Sequence, residues 1–449
     1  MQEHSALNRT EKPKRVIVVG AGMAGLCCAY ELQKAAHHVR VLEARERPGG
    51  RVWTMRGPEF SGSLFAELGA VFIPDNHPLP LHYINEFGLE LFSLPAPLKS
   101  TRHVSNGVLQ DESYNELTTK SLRMMMEIAR KHVAEKGAWP DAQGTGWASL
   151  DQISLADFLR SEQMDKQLLS ALQSTLIGNF GFGIETYSAL AAIRQLPLML
   201  GRKHSFAIVG GNDRLPLSFA KRLADAIEFS SQLIAIEHND SLKLKVRRKN
   251  GFEDLEADSV VLAIPGKLLH KITMTPGFSE AKQEALQQQK WTPVSKLFLR
   301  IKKRFWSEDA PTMIASSNEP AIRWMIDQRI VSEENILTAY AMGKAAADLA
   351  SMIPAEQKNW VRNEALKAFP ELRGSVAELE VFPYSWDLDE FACGGYPWPA
   401  IGQDQVPNIL ASPEGKMHFA GEHTTHHFAW IQGAMESGLR AAKEVHEAP

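Results

Sequence analysis

Residues 15–19, Arg-Val-Ile-Val-Val, form a short β-branched run that ends against Gly20-Ala21-Gly22-Met23-Ala24-Gly25. An Ala- and Leu-rich stretch of helical character follows, and a second apolar run, Val39-Arg40-Val41-Leu42, stops at Glu43. Strand, glycine turn, helix, strand and terminal acid, in this order, constrain the fold more than any other feature. A side chain at Gly20 or Gly22 would hold a pyrophosphate away from the backbone N–H groups of the turn, and Gly25 lets the helix lie close on the strand. The helix N-terminus turns its positive dipole end toward the phosphates. Glu43 stands where a carboxylate accepts hydrogen bonds from a ribose diol. The segment predicts a dinucleotide-binding α/β unit.

Arg47-Pro48-Gly49-Gly50-Arg51-Val52 follows that acid directly. Two glycines and an arginine fit a second turn packed against the pyrophosphate from another side, an extension that nicotinamide enzymes lack. From Glu43 through Gly49-Gly50-Arg51 the chain resembles the second fingerprint of FAD proteins of the amine oxidase superfamily.

A length of 449 residues suits two domains or one large interleaved unit. Hydrophobic content of 44% and charged content of 23% are those of a soluble globular protein. The net charge of −4 gives no reason to expect nucleic acid or an anionic membrane as partner. Of the three cysteines, Cys27 and Cys28 are adjacent on a helix and poorly placed to pair with each other, which suits a reducing compartment. Residues 1–14 are polar and lack the apolar stretch of a signal peptide, and the chain closes on Glu447-Ala448-Pro449 without an apolar tail. A cytoplasmic protein with no membrane anchor is expected.

The nucleotide-type signals are scattered. Glu67-Leu68-Gly69-Ala70-Val71-Phe72-Ile73 precedes a helical pattern at 79–87. Residues 114–200 are helix-like, with Leu122, Met125, Met126 and Ile128 at helical spacing, and Gly137 to Gly146, around Pro140, reads as a loop. Gly210-Gly211 brings back the nucleotide character, followed by a strand at Gln232–Ile236, a hairpin around Asn250-Gly251 and a buried strand at Val260–Pro265. Residues 291–384 alternate strands (Lys296–Lys302, Arg323–Asp327, Ile336–Met342) with a helix running to about 367. Lys416 to Glu422 is again strand, glycine and acid, leading into a helix from Gly433.

Several of these pieces, in order, resemble the flavin-dependent amine oxidase family, which includes monoamine oxidases, polyamine oxidases and L-amino acid oxidases. They are Gly20–Gly25, Gly49-Gly50-Arg51, Gly210-Gly211, Ala263-Ile264-Pro265, Ser295-Lys296, Trp386 and Phe419-Ala420-Gly421-Glu422-His423-Thr424. The resemblance runs from about residue 14 to 446. It implies an α/β fold: a Rossmann-like, GR2-type FAD-binding domain from discontinuous segments 14–95, 205–290 and 385–449, with an inserted α+β substrate-binding domain from 96–204 and 291–384. The FAD contacts it implies are Gly20, Gly22, Met23, Ala24, Gly25, Glu43, Ala44, Gly50, Arg51, Gly69, Ala70, Val71, Leu233, Trp386, Gly421, Glu422, Ile431 and Ala434. Gly421-Glu422 would lie beside the ribityl chain and pyrophosphate, and the backbone of Leu233 beside adenine. Ile431 and Ala434 would close over the N1–O2 edge at a helix N-terminus, where the dipole stabilises negative charge on reduced flavin.

The resemblance also assigns chemistry. Lys296, within Val294-Ser295-Lys296-Leu297-Phe298-Leu299, matches the lysine that holds a water near flavin N5. A lysine at an ordinary strand edge would be solvated; a buried one with a lowered pKa handles protons during flavin reoxidation. Tyr396 and Trp430 match the aromatic pair that flanks the flavin face and orients an amine. The plainer alternative for both is core packing. Where some monoamine oxidases carry the cysteine that attaches FAD, this chain has Gly395, with Cys393 two residues earlier, so non-covalent FAD is expected. His423, His426 and His427 have metal-like spacing but lack an obvious carboxylate partner, and no metal is expected.

The implied reaction is oxidation of a C–N bond. A hydride equivalent moves from the α-carbon of a small-molecule amine to flavin N5, the imine hydrolyses to a carbonyl, and dioxygen becomes hydrogen peroxide. A homodimer is left open.

Much of the C-terminal half is similar to L-amino acid oxidases: Ser295–Leu299 continuing to Lys303-Arg304-Phe305-Trp306, Trp386 to Gly395, and Trp430-Ile431 with Ser437–Ala442. Their carboxylate-clamping arginine falls at Phe72, and the assisting tyrosine near Ile326 or Asp327. A carboxylate unpaired against an apolar wall costs several kcal/mol. The expected substrate is therefore an amine with an apolar or aromatic body and no α-carboxylate, in a pocket of Phe72, Tyr396 and Trp430. The glutamate of many polyamine oxidases falls at Pro74, next to Asp75. The alternatives are an L-amino acid oxidase clamping through Arg202 or Arg323, a desaturase-like flavoprotein acting on C–C bonds, a biosynthetic amine-oxidising and cyclising enzyme, and a flavin-binding scaffold without activity.

Overall fold

The computed structural model describes residues 7–57, 64–94, 101–136, 147–200, 202–239, 241–303, 305–306, 314–326, 334–375 and 379–449. The loop expected at Gly137–Gly146 lies outside the described residues, as do Arg304 and Asp327.

The β-branched run forms strand β1, Arg15–Val19, at the centre of a five-stranded sheet in which every pairing is parallel. Its order is Ile227–Glu228, His38–Leu42, β1, Ser259–Leu262 and Met417–Phe419, so three distant parts of the chain supply it. Such a sheet is buried on both faces, and the alternation along β1 shows which side meets what. Val16 and Val18 join the core under helix α1, Met23–Lys34, and the C-terminal helix Ile431–Glu447. Ile17 and Val19 join the core under a mixed four-stranded sheet that contains the antiparallel strands Gln232–His238, Leu242–Arg248 and Gly251–Ala257. The two helices touch at Gly438, where a Cβ would lie 2.3 Å from the Ala24 carbonyl oxygen.

A second sheet has seven strands, in the order Glu380–Ser385, Val294–Ile301, Asn335–Met342, Ala321–Ile326, Ile314–Asn318, Thr101–Ser105 and Val108–Leu109. Leu297, Leu299, Leu337 and Ala339 face helices Lys344–Ser351 and Pro354–Ala368. On the opposite face, Phe298, Ile336 and Met342 pack with Leu172, Leu176, Leu190 and Ile193 of helices Lys166–Phe180 and Ala189–Leu200. Trp386 and Tyr396 belong to this second core.

The architecture is α/β with a Rossmann-like parallel sheet, as predicted. The last helix begins at Ile431, two residues before the expected Gly433. Gly433 instead sits in the first turn, where a Cβ would lie 2.0 Å from the His427 carbonyl oxygen. Among the described residues, no helix is long and apolar enough to cross a membrane.

Candidate functional site

The glycine turn after β1 is ordered by the acid that ends the second strand. Gly20 N–H donates to the Leu42 carbonyl at 2.7 Å, Ala21 N–H to Glu43 Oε2 at 2.7 Å, and Arg45 N–H to Glu43 Oε1 at 2.9 Å. Burial raises the Glu43 pKa, and these two amides oppose the rise. The second glycine turn is tied to the first, with Gly49 N–H donating to the Ala21 carbonyl at 2.8 Å. A Cβ on Gly22 would meet nothing within 4 Å and would project into open space. Two abutting turns with that space beside them suit a pyrophosphate pressed against backbone amides.

That space is one end of a long cavity between the two sheets. Its wall includes Gly20, Gly22, Met23, Ala24, Glu43, Ala44, Gly50, Arg51, Gly69, Ala70 and Leu233. Further along lie Trp386, Gly421, Glu422, Ile431 and Ala434, and with them Lys296, Tyr340, Tyr396 and Trp430. Three expected residues are placed elsewhere. Gly25 stands behind the wall, where a Cβ would lie 1.9 Å from the Gly20 carbonyl oxygen, so its smallness serves helix–turn packing. Val71 does not line the cavity, and its carbonyl accepts from Asn212 Nδ2 at 2.9 Å. Phe72 turns its ring to Arg202 and Arg323.

Arg51 links the ends of the chain. Its Nη1 donates to the Gly395 carbonyl at 2.6 Å and to Glu422 Oε1 at 2.8 Å. The other Glu422 oxygen accepts from Ala429 N–H at 2.7 Å. Trp386 is held by its indole, which donates to the Leu68 carbonyl at 2.7 Å.

Lys296 sits on the face of the seven-stranded sheet that meets the cavity. The strand registers set Tyr384, Lys296, Tyr340, Arg323 and Ser316 opposite one another in a row across five strands. Directly paired residues point to the same side of a sheet, so the row is one polar stripe. Lys296 Nζ lies 4.3 Å from the Tyr340 ring centroid. Among the described residues, no carboxylate lies within ion-pair distance of it. Burial pushes its pKa down to about 7, against the pull of Glu67 and with the push of Arg323. Burial also raises the phenols of Tyr340 and Tyr396, which stay protonated. The Tyr396 hydroxyl donates to the Phe180 carbonyl at 3.2 Å. Trp430 precedes the last helix and meets His77 edge-on, with ring centroids 4.8 Å apart. Tyr340 escaped the sequence reading, because its place beside Lys296 depends on strand register.

The three histidines have separate partners. The buried His423 ring lies 6.1 Å from Trp291, His426 Nδ1 is 3.2 Å from Arg194 Nη1, and His427 Nδ1 is 2.6 Å from Glu436 Oε2. Among the described residues, no group of three or more His, Cys, Asp and Glu is placed to hold a metal ion. At Gly395, a Cβ would lie 2.2 Å from Val294 Cγ2, which leaves no room for a side chain. The Cys393 thiol points to the Glu390 carbonyl, 3.4 Å away.

Comparison with known proteins adds independent findings. A sequence model described as flavin containing amine oxidoreductase matches residues 23–446. The chain is 27% identical over 468 residues to an L-amino-acid oxidase of Daboia russelii, with 99% of this chain and 91% of the relative covered. It is 28% identical over 472 residues to the flavin-dependent L-tryptophan oxidase RebO of Lentzea aerocolonigenes, covering 96% and 98%. Among solved structures, putrescine oxidase bound to putrescine superposes with a TM-score of 0.81 at 20% identity, covering 97% of this chain and 99% of that one. Cyclohexylamine oxidase from Brevibacterium oxydans IH-35A superposes with a TM-score of 0.79 at 19% identity, covering 97% and 99%.

Proposed function

The chain belongs to the flavin containing amine oxidoreductase family, and from that premise we propose that it is an oxidase that converts a small amine to an imine. It is an oxidoreductase, and its cofactor is FAD. The observation that carries the reading is Lys296: a buried lysine without an acidic partner among the described residues, on the wall that also holds the glycine cradle. With a pKa near 7 it switches readily between holding and releasing a proton at Nζ.

When bound, FAD supplies the hydride acceptor and the path of electrons to dioxygen. The protein supplies position and environment. Gly20, Gly22 and Gly50 would let the pyrophosphate approach the backbone of the two turns, and Glu43 would take the ribose. Arg51 and Glu422 brace the wall on which Tyr396 and Trp430 stand. The two aromatic side chains and Tyr340 offer ring faces to an amine and exclude water from its α-carbon. FAD is held non-covalently, since Gly395 has no room for a thioether. The imine leaves the site and hydrolyses to a carbonyl.

An apolar or aromatic body on the amine suits these walls. The Phe72 side chain itself offers no cation to an α-carboxylate. The second reading, an amine that carries an anionic group, is favoured by Arg202 and Arg323 beside Phe72.

Anaerobic mixing of the holoenzyme with amines and amino acids, followed at the oxidised-flavin absorbance, tests the reading. Bleaching by at least one of them is expected. A flavin that dithionite reduces but no amine or amino acid bleaches would overturn it.

A further inference from the structure

Arg323 occupies the third position of Ala321-Ile322-Arg323-Trp324-Met325-Ile326, a strand whose other five residues are apolar and buried. A cation in such a strand needs a partner. Its Nε is buried without a hydrogen-bond acceptor. Among the described residues, no carboxylate lies within ion-pair distance of its guanidinium. Burial pushes its pKa down to about 10, and the charge of Arg202 pushes the same way.

Arg202 stands in the connection between helix Ala189–Leu200 and strand Ser205–Ile208. Burial lowers its pKa too, and only the charge of Asp75 opposes the shift. Asp75 does not form an ion pair with it. Its carboxylate accepts instead from the backbone N–H of Lys203 at 3.2 Å and of His204 at 3.0 Å.

The two guanidiniums converge on one ring. Arg323 Cζ lies 5.1 Å and Arg202 Cζ 5.7 Å from the Phe72 centroid, and Arg202 Cζ lies 5.9 Å from that of Trp430. Arg323 also neighbours Tyr340 in the row that holds Lys296. Ring contacts recover less than the cost of desolvating two like charges. Among the described residues, no carboxylate forms an ion pair with either guanidinium.

We propose that Arg202 and Arg323 form a guanidinium pair that binds a carboxylate carried by the amine substrate. The proposal rests on the amine oxidase reading and names its substrate class: amino acids in the broad sense, with the carboxylate on the reacting carbon or at the far end of the molecule. Arg202 and Arg323 take the place of a cation at Phe72, whose ring becomes their common platform.

Calorimetric titration of the holoenzyme with 3-phenylpropanoate and with its uncharged amide tests the pair without turnover. The carboxylate is expected to bind about 10- to 100-fold more tightly than the amide. Arg323→Met and Arg202→Met should each remove most of that preference and leave the amide unaffected. Arg323→Met should melt no lower than the parent protein without ligand, since it deletes an uncompensated buried charge. If Arg323→Met does not fold, Arg202→Met, outside any strand, carries the test. Equal binding of acid and amide, or arginine variants that lose FAD rather than carboxylate affinity, would overturn the proposal.

Two substrate pairs locate the anion: phenylalanine with phenethylamine, and 5-aminopentanoate with pentylamine. A higher rate of flavin bleaching for the acid of the first pair puts the carboxylate on the reacting carbon, and for the acid of the second puts it at the far end. No gain in either pair counts against the guanidinium site. Absence of bleaching by every amine and amino acid would instead remove the oxidase reading and leave the calorimetric result standing.

Discussion

Arg51 Nη1 donates to Glu422 Oε1 at 2.8 Å, joining two residues 371 positions apart. The pair ties the second glycine turn to the loop before the last helix, and the same nitrogen holds the Gly395 carbonyl at 2.6 Å. Glu422 is buried, and burial raises its pKa while Arg51 restrains the rise.

Arg51→Met should therefore cost about 3 kcal/mol, the lower end of the range for breaking a buried pair, because Arg51 keeps some solvent contact. The expected outcome is a lower melting temperature and a lower FAD content after gel filtration. Arg51→Lys should recover part of both. A fully flavinated Arg51→Met protein with unchanged melting temperature would show that the pair braces nothing.

Lys296→Met should slow amine-driven flavin reduction or reoxidation while FAD stays bound. Stopped-flow measurement of each half-reaction separates the two. The folded-state pKa of about 7 lies below the usual lysine value of 10.5. The unfolded chain thus binds more protons between pH 7 and 10.5, and stability rises with pH across that window. Below pH 7 the buried lysine is charged in both states and its destabilising effect is complete. Lys296→Met should stabilise the protein most near pH 6, with the gain shrinking toward pH 10. A gain independent of pH would mean that Lys296 titrates normally.

Glu43→Ala should strip the glycine turn of an acceptor for two amides, Ala21 N–H and Arg45 N–H. Each buried donor left unpaired costs about 1–3 kcal/mol. FAD affinity, measured by flavin fluorescence on dilution, should fall at least tenfold. Glu43→Gln, which keeps one acceptor oxygen, should lose less. Equal affinity in Glu43→Ala and the parent would exclude the ribose contact.

Acid precipitation should leave the yellow chromophore in solution. Gly395→Cys should not create a covalent flavin. A Cβ at that position meets Val294 Cγ2, so the variant should lose about 1–3 kcal/mol by overpacking. Colour that stays in the pellet of the parent protein would point to a covalent link.

The local features were legible because near neighbours in the chain determine them. Gly20 through Glu43 is one continuous unit, and the order of residue types was enough to predict strand, turn, helix and strand. The hairpin near Asn250 and the strands carrying Lys296 and Val261 were readable for the same reason, since a turn dipeptide and short apolar runs report strands from local residue type. The last helix was misplaced by two residues because Gly433 looked like a boundary, while its lack of a side chain serves a close approach to the His427 carbonyl that the sequence does not show.

What lay beyond the sequence depended on register and on close approach between distant segments. A one-residue slip in the seven-stranded sheet would turn Tyr340 and Arg323 away from Lys296, and no single strand carries that information. At Phe72 the sequence alone showed a cation missing, and so argued for a substrate without a carboxylate. The fold sets Arg202, from a helix–strand connection, and Arg323, from a sheet interior, against that same ring. The sequence by itself determined the nucleotide-type turn, the order of elements and the family resemblance, all of which follow from residue type and short-range spacing. Only the tertiary structure decided which charges stand together around Phe72, because burial and pairing belong to the packed molecule.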